Sequence, residues 1–427
     1  MSEKTILVWF RNDLRIHDNE ILSEAVRKAD RILPVYCFDP FYFRKNSSGN
    51  SKTGSLRARF LLESVSNLQK NLRRTGGELI IRVGDPSELI PKLVEEYQVS
   101  EVYHHREVAH EETEISELVE TALWKIKINL KHFIGHTLYH KEDLPFPIKD
   151  IPDSFAVFKK KVERDAAVRQ CIAAPSKITT PPVADPGQLP TLQQLGLNEP
   201  FDDPRSVIRF TGGEDAAFEQ MGRFFINNDH TGASGSARQL TAPSMLSPWI
   251  ALGCLSLREV YWEVIKHQQA GNGSYGNLLL DLLWRDYFRF MFKKHGQKFI
   301  AVKDGSAKQT PAVNQDELFD AWTAGETGVA LVDAIMHELN ATGYINNQKR
   351  QFVAAFLINE LKVDWEKGAA YFARKLIDYS PASNWGNWAF MAGVNDPHES
   401  RYTMVKPGTE PETNGEYIDT WLPALLA

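Results

Sequence analysis

The sequence predicts an α/β N-terminal domain on a parallel, Rossmann-like sheet, followed by a large all-α C-terminal domain. Three observations predict it. Within residues 1–140, short apolar runs alternate with segments of helical periodicity, which implies a parallel sheet covered by helices on both faces. Residues 141–204 are rich in Pro and Thr, as in Ala173-Ala-Pro-Ser-Lys-Ile-Thr-Thr-Pro-Pro182, and read as a long surface connector. Residues 205–427 are almost wholly helical in pattern after Asp215, and eight of the ten tryptophans fall at or after Trp249.

Ile6–Phe10, Ile32–Cys37, Leu79–Val83, Glu101–Tyr103 and Leu130–Phe133 read as buried strands. Between them Asn19–Lys28, Leu56–Leu72, Pro86–Tyr97 and Glu112–Trp124 carry helical periodicity, and one further helix is expected near Phe155–Ala167 in the connector. A dinucleotide-binding fold would place a G-x-G-x-x-G after the first strand. The loop there is instead Arg11-Asn-Asp-Leu-Arg-Ile-His-Asp-Asn19, so a nucleotide cannot be assumed in that place.

Composition narrows the class. Hydrophobic residues at 43% and charged residues at 24% describe a globular protein, and no apolar run reaches the ~20 residues of a membrane span. The first strand begins almost at Met1, so no signal segment is expected. Cys37, Cys171 and Cys254 are too scattered for a disulfide framework or a zinc site, which favours a reducing, cytoplasmic setting. A net charge of −6 argues against a nucleic-acid-binding surface over the whole body, though not against a local basic groove.

Chemistry concentrates in the second half. Leu279–Lys294 reads as a helix with Trp284 on its apolar face, and Asp281 and Arg285 at i,i+4 on its border; a core helix with a surface ion pair is the simpler account of that segment alone. Gly343-Tyr-Ile-Asn-Asn-Gln-Lys-Arg-Gln351 begins another helix. Capping accounts for Asn346 or Asn347 there, but a buried Arg350 needs an anion, and Asp378 is the candidate. Ser244 and Ser247, beside a helix start, offer a phosphate site, although Ser-Pro is an ordinary helix opener. Ser380-Pro381 reads as an N-cap and first helical residue, which puts Asn384 and Trp388 on one face four residues apart. An amide, an indole and a nearby carboxylate suit a polar aromatic cofactor.

Trp9-Phe-Arg-Asn-Asp-Leu-Arg15, Leu246-Ser-Pro-Trp-Ile-Ala-Leu-Gly-Cys-Leu-Ser256, Leu283-Trp-Arg-Asp-Tyr-Phe-Arg-Phe290 and Ser383-Asn-Trp-Gly-Asn-Trp388 together resemble the photolyase/cryptochrome family. Trp284-Arg-Asp-Tyr-Phe, Gln351 after Lys-Arg, and Asn384-Trp-Gly-Asn-Trp are most similar to the DASH-type cryptochromes. The resemblance implies FAD held in the helical domain. Ser244, Ser247 and Arg285 would serve its diphosphate, and Asn347 would lie near the flavin. Arg350 paired with Asp378 would flank the ring, and Ser380 and Asn384 would complete the ring site, with Asn384 toward N5. It also implies blue-light-driven repair of cyclobutane pyrimidine dimers, in single-stranded DNA for DASH-type members, by electron transfer without a metal. In that scheme Trp284 stacks on the flipped-out lesion, Asp281 hydrogen-bonds a base, and Gln351 and Phe390 face DNA. Trp388 and Trp365 occupy two positions of the relay that reduces the flavin, and Trp385 is left to packing. Glu107 corresponds to the acid that contacts a 5,10-methenyltetrahydrofolate antenna in some members. The alternatives are a blue-light photoreceptor without efficient repair and a member with weakened FAD binding. A monomer is expected.

Four positions depart from the family pattern. Ser380 stands in place of the second acid of an Asp-x-Asp, keeping an N-cap role but losing a charge. Gln348 replaces an Arg, Met245 replaces a basic residue beside the diphosphate, and Ala312 falls where the outermost relay tryptophan usually stands.

Overall fold

The structure, a computed structural model, describes residues 3–45, 51–206, 208–227, 243–271, 275–301, 314–394 and 415–422. Strands β1 (Thr5–Phe10), β2 (Arg31–Phe38), β3 (Ile80–Val83), β4 (Glu101–His105) and β5 (Asn129–Phe133) form one parallel sheet in the order β3-β2-β1-β4-β5. Helices α1 (Glu20–Lys28), α2 (Ser55–Arg74), α3 (Pro86–Glu96) and α4 (His110–Lys125) alternate with the strands in the chain. Every residue of β1 is buried, as a central strand covered on both faces requires. In register, Leu7 lies opposite Leu33 on one side and Val102 on the other. These three pack with Ile90 and Leu93 of α3 and with Val119 and Leu123 of α4. Caps follow the sequence signals. Asn19 accepts from Leu22 N at the start of α1, and Asp85 accepts from Ser87 N before Pro86 at the start of α3.

The strand order reverses between β1 and β4, where open α/β sheets usually leave a ligand crevice. Here the chain fills that place with its own polar groups. Asp13 accepts from Arg11 N at 2.7 Å and lies 3.0 Å from His105 Nδ1. Arg15 donates to the carbonyls of Gly253 and Asp18, both at 2.9 Å. Arg258 holds the Asp18 carboxylate with two hydrogen bonds at 2.9 and 2.6 Å. The absent glycine motif thus has a structural counterpart: a loop braced by side chains rather than by a phosphate.

The connector covers an open edge. Ile81 N of the edge strand β3 donates to Pro186 O at 2.7 Å, and Ile32 N donates to Thr179 O at 2.8 Å. Pairing of this kind removes unpaired strand amides from solvent.

Two compact units emerge. Unit 1 comprises residues 1–44, 59–196 and 211–296, and unit 2 comprises 45–58, 197–210 and 297–427. Unit 1 holds the sheet with α5 (Phe155–Asp165), α6 (Glu214–Asn227), α7 (Ser247–Ala251), α8 (Leu257–Gln269) and α9 (Gly276–His295). The helices from Glu214 to His295, grouped by sequence with the helical domain, therefore cluster with unit 1. Unit 2 holds α10 (Gln315–Ala324), α11 (Ala330–Thr342), α12 (Asn347–Asn359), α13 (Trp365–Lys375), α14 (Pro381–Met391) and α15 (Gly415–Trp421). Its core gathers Trp322, Met336, Val353, Leu357, Phe372 and Trp388, with Trp322 Nε1 satisfied by Val353 O at 3.1 Å. Among the described residues no helix is long and apolar enough to cross a membrane. Ala312 lies outside the described residues.

Gly253 permits the closest backbone approach in unit 1. Its φ is +64°, and a Cβ there would lie 1.9 Å from Asn12 O. Gly253→Ala should lower stability by about 1–3 kcal/mol, read as a lower urea midpoint at unchanged m. An unchanged midpoint would contradict this account of the loop.

Candidate cofactor cavity

Unit 2 contains a cleft of about 540 Å³, counting its open mouth, between α12, α13 and α14. Its polar wall is built from Asn347, Arg350, Gln351, Asp378, Ser380 and Asn384, and its apolar wall from Ala354, Phe372, Trp388 and Met391. The sequence had singled out seven of these ten as site residues.

Each is placed by a local cause. Asn346 caps α12 by accepting from Lys349 N at 2.9 Å, so the capping role falls to it and Asn347 stands exposed at the cavity mouth. Arg350 lies in the first turn, where its Nε donates to Ile345 O at 2.8 Å and its Nη2 donates to Asp378 Oδ2 at 2.7 Å. The Asp378 side chain is 2% exposed, so the guanidinium is what makes its burial tolerable. Gln348 is exposed and does not line the cleft.

Ser380 takes the N-cap position of α14 with an extended backbone and Pro381 following, yet its side chain makes no cap hydrogen bond. The capping role read from sequence is therefore corrected: the position is right, but the hydroxyl makes no cap bond, and the residue lines the cavity. One turn on, Ser383 Oγ is buried at the cavity wall with no hydrogen-bond partner, an acceptor or donor set aside from the protein's own network. Asn384 is buried and anchored by Nδ2 donating to Ala369 O at 3.0 Å.

The tryptophans divide. Trp388 is 3% exposed and packs edge-on to Phe372 at 5.1 Å and to Trp322 at 6.3 Å. It fits because α13 carries Gly368 opposite: a Cβ there would stand 2.4 Å from Trp388 Cη2. The ring partner of Trp365 is Trp385, edge-on at 6.1 Å, and Trp385 Nε1 donates to Tyr379 OH at 3.3 Å. Phe390 is half-buried on α14 and does not line the cleft.

The remaining candidates belong to unit 1. Trp284 stacks face to face on Phe155 at 3.5 Å and 10°, so one face of its indole is already covered. Asp281 is exposed, whereas Arg285 turns inward and donates to the carbonyl of His136. Burial, then the Arg289 charge, lower the Arg285 pKa to about 9. The neighbouring Asp286 is fully buried and accepts from Leu138 N and Tyr139 N, both at 2.9 Å. Ser244 and Ser247 are half-buried. Ser247 is the first residue of a five-residue helix whose N-cap is Leu246, without a side-chain cap bond. Met245 beside them has a left-handed φ of 53°.

Glu107 lies just past the last residue of β4 and turns inward. It is 2% exposed and accepts from Arg289 Nη2 at 2.9 Å and Asn12 Nδ2 at 3.1 Å. Asn12 Nδ2 also reaches Glu112 at 3.3 Å, so two buried acids share one amide. Burial alone would raise the Glu107 pKa, but the Arg289 and Arg11 charges outweigh it and hold the group near 2. Glu112 goes the other way: burial and the Glu107 charge push it up to about 8. Both Glu107 oxygens are thus engaged by protein donors, Oε1 by Asn12 and Oε2 by Arg289.

Sequence reasoning missed Glu112, Arg289, Gly368, Ser383, Tyr379 and Arg57. Arg289 had a signal, being four residues beyond Arg285 on the same helix. Glu112, Gly368 and Arg57 acquire meaning only from partners distant in the chain, and Ser383 and Tyr379 only from the cavity they line.

Comparisons with known proteins agree with this architecture. Residues 6–181 match the DNA photolyase family model, and residues 278–427 match the FAD binding domain of DNA photolyase. Cryptochrome DASH of Gloeobacter violaceus is 42% identical over 433 residues, covering 100% of this chain and 87% of that relative. Cryptochrome DASH of Danio rerio is 38% identical, covering 99% and 84%. The crystal structure of a Synechocystis cryptochrome superposes with a TM-score of 0.88 at 36% identity, covering 100% of this chain and 90% of that one. The chain belongs to the photolyase/cryptochrome family, and its similar relatives include many DASH cryptochromes.

Linkage in unit 1 gives a pH dependence. Glu112 has a raised folded pKa, so its contribution is complete below its ordinary 4.5 and lost as pH rises through about 8. Glu107 has a lowered pKa, so its contribution is present above 4.5 and lost as pH falls toward 2. Glu112→Gln should flatten the decline in denaturant stability between pH 4.5 and 8. An unchanged slope would contradict the shared-amide arrangement.

Proposed function

We propose that this protein is a flavin-dependent, blue-light-driven repair enzyme acting on cyclobutane pyrimidine dimers, with single-stranded DNA as its substrate. The observation that carries the reading is the unit 2 cavity, in which Arg350–Asp378, Asn384 and the unpartnered Ser383 hydroxyl face one space. Those groups fit the polar edge of an isoalloxazine ring, and Phe372, Trp388 and Met391 fit its apolar surface. When bound and reduced, FAD would supply the light-driven electron that opens the dimer and then returns, leaving no net oxidation.

The chain's own residues orient and shield that chemistry. Arg350 holds positive charge beside the ring, and Asp378 fixes the guanidinium in place. Asn384, anchored on Ala369, keeps its amide toward the ring edge. Trp388 is the indole of the cavity wall and so the nearest electron donor. Trp365 stands behind it in the resemblance, although its ring contact runs to Trp385. The roles of Ser244, Ser247 and Arg285 toward a diphosphate, and of Asp281, Trp284, Gln351 and Phe390 toward DNA, rest on the resemblance. We assign no antenna, because Glu107 is already held by Arg289 and Asn12. A reducing, cytoplasmic compartment suits the scattered cysteines, and the protein is taken to act as a monomer.

One observation favours a second reading. Phe155 already stacks on one of the two faces that Trp284 could offer a flipped base, which suits a light sensor without efficient repair.

Illumination of dimer-containing single-stranded DNA with reduced, FAD-loaded protein should lower the dimer content. Unchanged dimer content with FAD demonstrably bound and reduced would favour the sensor. Trp388→Phe should slow photoreduction by about tenfold or more while leaving FAD affinity nearly intact. Equal rates would remove Trp388 from the donor role.

A further inference from the structure

Arg57 sits early in the sequence, among the residues read as part of the α/β half, yet it belongs to unit 2. It is 8% exposed and spends its donors on backbone and one hydroxyl. Nη1 donates to Ala373 O at 2.5 Å and Leu376 O at 3.2 Å, and Nη2 donates to Lys52 O at 2.8 Å and Thr53 Oγ1 at 3.2 Å. Its guanidinium carbon lies 4.8 Å from the ring centroid of Tyr379, which lines the cavity. Arg57 thus closes the C-terminal end of α13 and backs the Asp378–Tyr379 segment of the wall.

The charge count at that wall is uneven. Among the residues lining the cavity, Arg350 is the one cation and Asp378 the one carboxylate, and they neutralise each other. Ser380, two residues on, contributes no charge. The negative end of α13 and the positive end of α14 offset one another to first order. Arg57 adds a buried positive charge for which Asp378, already engaged by Arg350, is the carboxylate in electrostatic reach. Burial lowers the Arg57 pKa to about 10, which leaves it charged at neutral pH.

Building on the flavin reading, we propose that Arg57 is a positioning residue whose uncompensated charge makes the cavity prefer the anionic, reduced form of the bound ring over the oxidised, neutral one. The cavity-lining groups set where the ring lies, and Arg57 sets which of its charge states is retained. The charge acts through Tyr379 and the 376–380 loop rather than by touching the ring.

The test is the ratio of affinities for reduced and oxidised FAD, measured as the flavin midpoint potential with thermal stability recorded alongside. Arg57→Gln keeps an amide donor but drops the charge. It should reduce the preference for the reduced form by about tenfold, or about 30 mV for a two-electron couple. Arg57→Lys keeps the charge and should hold the potential near that of the parent even if it melts earlier. Asp378→Asn removes the anion and should move the potential in the opposite direction, which keeps the proposal testable should Arg57→Gln fail to fold. Potentials unmoved in Arg57→Gln, or shifted equally in Gln and Lys variants, would overturn the charge assignment while leaving the flavin reading intact. A parent protein that takes up no FAD would overturn both.

Discussion

The ion pair between Arg350 and Asp378 is the constraint on which the cavity depends. A carboxylate buried as deeply as Asp378 costs several kcal/mol unless a cation meets it. Arg350 meets it from the first turn of α12, braced by Ile345 O, so the loop at 376–380 is fixed against that helix. Ile377 N donating to Gly343 O at 2.9 Å fixes the same loop a second time. Since α14 starts directly after Ser380, the loop also decides where Asn384 and Trp388 point. The indole then needs the gap that Gly368 leaves on α13. One electrostatic pairing therefore propagates into the shape of three helices and the lining of the site.

Unit 1 meets a related problem differently. At the switch point of its sheet, an open α/β fold would ordinarily leave room for a ligand. The chain fills it with Asp13–His105 and Asp18–Arg258, and below them places Glu107 and Glu112 around Asn12. Two acids so close cannot both ionise cheaply, and Arg289 decides which one does. The carboxylates of this crevice are all engaged, although Arg15 Nε and Arg289 Nε are left without a hydrogen-bond partner, as Ser383 Oγ is in the unit 2 cavity.

Much of this was legible in the sequence, for identifiable reasons. The sheet was visible because β1 is fully buried and β2 and β4 nearly so, leaving short apolar stretches between the helical segments. Arg350 and Asp378 could be paired in advance because a buried guanidinium has few anions to choose from. Asn384 and Trp388 share a face by helical spacing alone. Other features depend on partners that no local pattern reveals. Ser380 reads as a cap, but its hydroxyl makes no hydrogen bond to the helix amides. Glu107 looks like a surface acid until Arg289, 182 residues away, is brought against it. Arg57 meets Leu376 across 319 residues, so its place in the helical unit could not be inferred from its neighbours. Trp385 was read as packing, and only its contacts with Trp365 and Tyr379 give it a position in the aromatic network.

The most direct measurement is a double-mutant cycle on FAD uptake by the apo-protein, using Arg350→Met, Asp378→Asn and the pair together. If the ion pair shapes the cavity, each single change weakens uptake by about tenfold or more, and the double variant is no worse than the poorer single. Losses that multiply in the double variant would show that the two residues act independently, and would contradict the account.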